Sequence, residues 1–204
     1  MKTDTDRLSN TYLESEDLMI RALESQDVMF CWEVEHDSSQ WLCNGMQAPC
    51  SLRHIERFVK EYTAEPFSAG QLRMVLMRRR EADESEGDRS GFMDYDNYPG
   101  YENIGIVDLF NISAINGNAQ IGIYVLPPFR CKGYGTKAVS LLGKYAHDVL
   151  NMRTLLAKVA VPNKGSIRMF EKSGYRRCGL LTDWLRIAGR PYDLILYQKI
   201  LTEK

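Results

Sequence analysis

The feature that most constrains this chain is the run Arg130-Cys131-Lys132-Gly133-Tyr134-Gly135-Thr136. It stands between two stretches of different period. Before it, Ala119–Leu126 alternates as a strand and is stopped by Pro127-Pro128, because proline cannot donate to a sheet ladder. After it, Ala138, Val139, Leu141, Leu142, Tyr145, Ala146, Val149 and Leu150 recur at helical spacing. The first turn of a helix leaves its N–H groups unpaired, and the helix dipole is positive there, so the junction attracts anions. Glycine lets backbone approach a phosphate without a Cβ in the way, while Arg130 and Lys132 add positive charge. Such a loop asks for a pyrophosphate.

Three ligand classes carry one. A nucleoside-triphosphate loop needs Gly-Lys-Ser/Thr, whereas Gly135 is followed by Thr136-Lys137. A dinucleotide site would read Gly133-x-Gly135-x-x-Ala138, but it also needs an acidic residue about 20 positions on, at the end of the next strand. That strand, Leu155–Val161, has none. Coenzyme A, whose 3′,5′-ADP carries a pyrophosphate, remains.

The rest of the chain supplies an α/β scaffold. Leu18–Ala22 reads as a strand, and Ser25 as the cap of a helix through Val28, Met29 and Trp32. Ser51 can cap a helix with apolar positions Leu52, Ile55, Phe58, Val59 and Tyr62, with Pro66 beyond its end. Strands follow at Leu72–Met77 and Asn103–Ile112, the latter turning through Asn116-Gly117-Asn118 into the strand before the glycine loop. Ser166–Lys172 reads as a short helix closed by Gly174, before two strands near 175–187 and 191–200. The order predicts one mixed, mostly antiparallel sheet with a single strand–helix–strand crossover. A loose arm is expected over 1–17, one domain over 18–204, and an acidic mobile loop over 81–102.

Charge and cysteine usage narrow the function classes. Lys and Arg total 26 against 27 Asp and Glu, which leaves no bulk attraction to nucleic acid or membrane. No apolar run approaches the ~20 residues of a membrane span, and the polar start has no signal core, so a cytoplasmic location is expected. Five cysteines without a CxxC pair, and scattered histidines, predict neither a disulfide framework nor a metal site.

Taken together, Ile121–Thr136 and the run Asn163-Lys-Gly-Ser166-Ile-Arg-Met-Phe170-Glu171-Lys172-Ser-Gly174-Tyr175 resemble the GNAT superfamily of N-acetyltransferases, over about 18–200. The resemblance is strongest to the branch of spermidine and ribosomal-protein N-acetyltransferases. It implies a GNAT-like fold with a splayed pair of central strands, acetyl-CoA as cosubstrate without a metal, and a homodimer or higher homo-oligomer. It implies further that backbone groups of Ile123, Tyr124 and Val125 pair with the pantetheine arm. Residues Arg130, Cys131, Lys132, Gly133, Tyr134, Gly135 and Thr136 would hold the pyrophosphate, Asn163 and Ser166 would serve the cofactor, and Phe170 would lie beside the thioester.

Acetyl transfer to an amine by direct attack needs a neutral nucleophile, a stabilised oxyanion and a protonated leaving thiolate. Many members of the family place a tyrosine, the proton donor, where this chain has Phe170, which cannot donate. Asp108, on the strand before the cofactor strand, is the candidate base, with Tyr124 as a second catalytic candidate; Ser166 and Tyr175 flank the short helix. Cys131, between two cations at a helix start, is a candidate reactive thiol. The acceptor is expected to be a polyamine or other small amine, with a protein N-terminus as the alternative. Loop aromatics Trp41, Tyr95, Tyr98 and Tyr101 could line a peptide groove. A module that binds acyl-CoA without turnover is the third reading.

Overall fold

The computed structural model describes residues 13–37, 49–80, 98–187 and 189–201. Its strands are β1 (Leu18–Ala22), β2 (Gln71–Arg79), β3 (Tyr101–Ser113), β4 (Asn118–Val125), β5 (Thr154–Ala160), β6 (Arg176–Ile187) and β7 (Arg190–Ile200). Its helices are α1 (Val28–His36), α2 (Leu52–Glu61), α3 (Pro66–Ala69), α4 (Tyr134–Asp148) and α5 (Lys164–Lys172). The seven strands form one sheet in the order β1-β2-β3-β4-β5-β7-β6. All pairs are antiparallel except β4–β5, which is parallel and joined through α4. This is the mixed sheet with one crossover that the sequence predicts.

Alternation along the strands gives the sheet two faces. On one, Val107, Leu109, Ile121, Leu155, Ala157 and Tyr197 are buried in the same core as Ala138, Val139, Leu142 and Ala146 of α4 and Phe170 of α5. On the other, Arg73 pairs with Asp108 and reaches Glu35 of α1, and Tyr124 reaches Asp37 just beyond the end of that helix. The exposed apolar residues Leu180, Trp184 and Ile200 lie on the last two strands.

Several boundaries differ from expectation, each for a local reason. The first helix is capped from inside rather than by Ser25: the Asp27 carboxylate accepts from the Glu24 N–H at 2.8 Å. Asp27 itself is buried and held by the Arg21 guanidinium through two bonds of 2.7 Å. Ser51 caps α2 as predicted, accepting from the His54 N–H. Residues 13–17 are not a loose arm: Leu13 is 5% exposed, and its carbonyl accepts from the Ile20 N–H. Residues 1–12 lie outside the described residues. The acidic segment gives up its last residues to structure, since Tyr101 and Glu102 open β3; positions 81–97 lie outside the described residues.

Candidate active site

Strands β4 and β5 pair only at Asn118–Thr154, Ala119–Leu155 and Gln120–Leu156. Beyond that point each continues without the other, β4 to Val125 and β5 to Ala160. The direction of the free backbone groups follows from the β3 register. The Leu126 N–H donates to the Ile104 carbonyl at 2.8 Å, and residues two apart on a strand point the same way. Tyr124, paired with Ile106, therefore turns its backbone to β3, while Ile123 and Val125 turn theirs toward β5, which has moved away. Only a glycine fits opposite: a Cβ on Gly105 would lie 2.1 Å from the Tyr124 carbonyl oxygen. The result is a slot in the sheet bounded by backbone that no neighbouring strand pairs, the arrangement that takes up an extended ligand carrying amide groups.

The glycine loop opens at the mouth of this slot. Pro127–Phe129 forms a single 3₁₀ turn, and Phe129 is buried beneath the Arg78 guanidinium, 5.0 Å from its ring centre. Cys131 and Gly133 adopt positive φ, 63° and 89°, so the chain turns sharply into α4. Among the described residues no atom lies within 4 Å of where a Cβ on Gly133 would be. Gly135 packs closely on α5, since a Cβ there would lie 2.7 Å from the Met169 sulfur. Arg130, Cys131, Lys132 and Gly133 are exposed, and Tyr134, Gly135 and Thr136 are half-buried at the first turn of α4. Lys137, one residue on, is held by Asp17 at the start of β1.

α5 starts where β5 ends. Asn163 caps it, its side-chain oxygen accepting from the Ser166 N–H at 3.0 Å. Phe170 is 4% exposed and meets Tyr175 edge-on at 5.0 Å between centroids. Among the described residues the buried Tyr175 hydroxyl finds no hydrogen-bond partner, and burial pushes its pKa up.

Asp108 sits beside Gly122 on the α1 face, across from Arg73 on β2. Both of its oxygens are taken by Arg73, Nε to Oδ1 at 2.8 Å and Nη2 to Oδ2 at 3.3 Å. The same guanidinium donates Nη1 to Glu35 of α1 at 2.8 Å. The structure thus gives Asp108 an ion-pair role, whatever part it takes in chemistry. Cys31, beneath this cluster, has its thiol pushed up to about 12 by burial.

A residue that the sequence did not single out, Asp37 at the end of α1, joins the site. The Tyr124 phenol donates to its Oδ2 at 2.7 Å, and burial, then this carboxylate, raise the Tyr124 pKa and keep the phenol protonated. Arg130 reaches back from the glycine loop over the Tyr124 ring, 5.3 Å from its centre. Its Nε donates to the Val125 carbonyl at 2.8 Å and its Nη2 lies 3.5 Å from Asp37. Of the loop aromatics, Tyr98 donates to Glu24 and Tyr101 accepts from Arg79, so both pack at the β1–β2 side and not in a groove at this site. Trp41 and Tyr95 lie outside the described residues.

Comparison with known proteins agrees with this architecture. The acetyltransferase (GNAT) domain family matches residues 17–176. Among curated relatives, "Putative ribosomal N-acetyltransferase YdaF" of Bacillus subtilis is 30% identical over 99 residues, 48% of this chain and 54% of that protein. Spermidine N(1)-acetyltransferase of Vibrio cholerae is 29% identical over 91 residues, 45% of this chain and 53% of the relative. The chain thus spans about half the length of the curated relatives it matches. A solved structure of the Vibrio cholerae spermidine N-acetyltransferase in complex with CoA and spermine superposes with a TM-score of 0.75 at 20% identity, covering 92% of this chain and 97% of that one. With the family match extending over most of its length and a sheet that opens between β4 and β5, the chain belongs to the GNAT acetyltransferase family.

Proposed function

We propose that this protein transfers the acetyl group of acetyl-CoA to a primary amine by direct attack within a ternary complex. The observation that carries the reading is the slot beside Ile123 and Val125, continuous with the anion-attracting loop Arg130–Thr136. A pantetheine arm offers two amides to the strand and a pyrophosphate to the helix start, which matches both halves of the site. The thioester then lies deep in the slot. An N–H of β4 turned into the slot is placed to meet the oxyanion, where preorganised donors act most strongly. Phe170 shapes this end of the slot and gives no proton.

The acceptor side is the face that carries α1. On this face stand Asp37 at the end of α1, and Glu35 and Asp108, both held by Arg73; Glu33 is on the same helix. Burial raises the proton affinity of Glu33. Carboxylates beside the slot suit a small polyamine, the acceptor class named for the spermidine relatives. A protein N-terminus is the second reading, favoured by the ribosomal-type relative.

The test is thiol release from acetyl-CoA over a panel of polyamines, aminoglycosides, amino acids and N-terminal peptides. A polyamine should give the highest kcat/KM. A peptide in first place would move the acceptor to the second reading. Binding of CoA with no release for any amine would leave a non-catalytic module and overturn the proposal.

A further inference from the structure

Arg130 occupies a place that a bound cofactor needs. The Val125 carbonyl is one of the slot's acceptors, and the Arg130 Nε fills it. The same guanidinium lies against Asp37, whose Oδ2 also receives the Tyr124 phenol. One carboxylate thereby links the cofactor loop, the cofactor strand and the acceptor-side helix. We propose that Arg130 and Asp37 form a latch, released when acyl-CoA enters, that leaves Asp37 to receive the ammonium of the incoming amine.

The exchange follows from charge and hydrogen bonding. An amide of the ligand takes over the Val125 carbonyl, and a pyrophosphate at the start of α4 offers the displaced guanidinium a stronger, bidentate partner. Asp37 then loses a cation on the face where an amine must approach. The substrate's ammonium replaces the guanidinium on Asp37, so cofactor binding raises amine affinity. By linkage the amine raises cofactor affinity by the same factor. Tyr124 holds the carboxylate in place throughout, its phenol being protonated across the physiological range.

This inference rests on the acyl-CoA reading, and the experiment separates the two. Desulfo-CoA, which cannot react, and spermidine as the cationic probe are titrated by calorimetry into the wild-type protein and Asp37→Asn, alone and together. Asparagine can still accept from Tyr124 but does not hold a guanidinium by charge. In the wild type, spermidine should bind about tenfold more tightly once desulfo-CoA is present, a coupling of ~1.4 kcal/mol. In Asp37→Asn that gain should vanish, while desulfo-CoA binds as tightly as before or severalfold more tightly. The result should persist at about 0.3 M salt, where long-range fields are screened. Wild-type protein that fails to bind desulfo-CoA would sink the acyl-CoA reading itself. Wild-type protein that binds it but shows no coupling, or a variant that keeps the coupling, would overturn the latch. Binding of desulfo-CoA by the variant also reports that it is folded.

Discussion

Arg73 organises the α1 face of the sheet through three bonds, two to Asp108 and one to Glu35, with its guanidinium also 5.5 Å from the centre of the Phe58 ring. A carboxylate so engaged has both oxygens committed to holding β3 against β2. Asp108→Asn therefore separates two roles. As an ion-pair residue, its loss should cost roughly 1.5–3 kcal/mol, the range for hydrogen bonds to charged groups, which lowers the midpoint by several degrees for a chain of this size. The pH–rate profile between 6 and 9 should keep its shape, with kcat/KM within about tenfold. As the general base, its loss should cost on the order of 10²–10⁴ in rate at every pH tested. Thermal melts and kcat/KM against pH on one preparation decide between them, and the geometry favours the first outcome. The sequence could place Asp108 on a strand but could not name its partner. Arg73 is 35 positions away, and only the β2–β3 register brings the two opposite each other. Asp37 escaped notice for the same reason: its partners Tyr124 and Arg130 are distant in sequence, and nothing local in the α1 boundary marks it.

Elements were far more legible, because their signals are local. β1 falls on its predicted residues, Ser51 caps α2, and Gly174, at φ 83°, closes α5. The glycine loop was legible for the same reason, since a glycine at positive φ, Gly133, stands directly before the helix start at Tyr134, whereas the positive φ of Cys131 left no mark in the sequence. Asn163 shows where local reading stops, because a cap and a cofactor ligand leave the same mark in sequence. Its oxygen caps Ser166, and the family resemblance assigns its side chain a second task on the pantetheine arm. Two substitutions divide these tasks. Asn163→Ala should cost about 1 kcal/mol through the lost cap. Asn163→Asp keeps a capping oxygen at the N-terminus of α5 and should hold stability near wild type, but it replaces the amide donor with a charge. If Asn163→Asp binds desulfo-CoA at least about fivefold more weakly while melting normally, the residue serves the cofactor. Unchanged affinity would leave it as a cap alone.

At the scale of the whole molecule, the sheet is two antiparallel halves, β1–β4 and β5–β7–β6, joined by a parallel ladder of three residue pairs. The short join is what makes the slot, and it leaves Ile123 and Val125 with backbone groups that no strand pairs. Their neighbour Tyr124 turns the other way, to β3, so alternate amides on one strand should differ in protection. In ligand-free protein, hydrogen exchange should be faster at the Ile123 and Val125 amides than at Tyr124. Adding desulfo-CoA at about 100 times its Kd stabilises the bound state by ~2.7 kcal/mol, enough to slow exchange at both amides by up to about 100-fold if the arm lies along the strand. Tyr124, already paired, should change less. The loop amides from Cys131 to Gly135 should also slow if, as proposed, they hold the pyrophosphate. Protection confined to that loop, with Ile123 and Val125 unchanged, would mean that the phosphate end binds but the arm does not enter the sheet. The slot would then not be the site of acetyl transfer. Protection at alternate residues is a pattern that general tightening of the fold would not produce, because tightening slows neighbours together. The measurement therefore reads the direction of each amide on β4, the property on which the acyl-CoA reading depends.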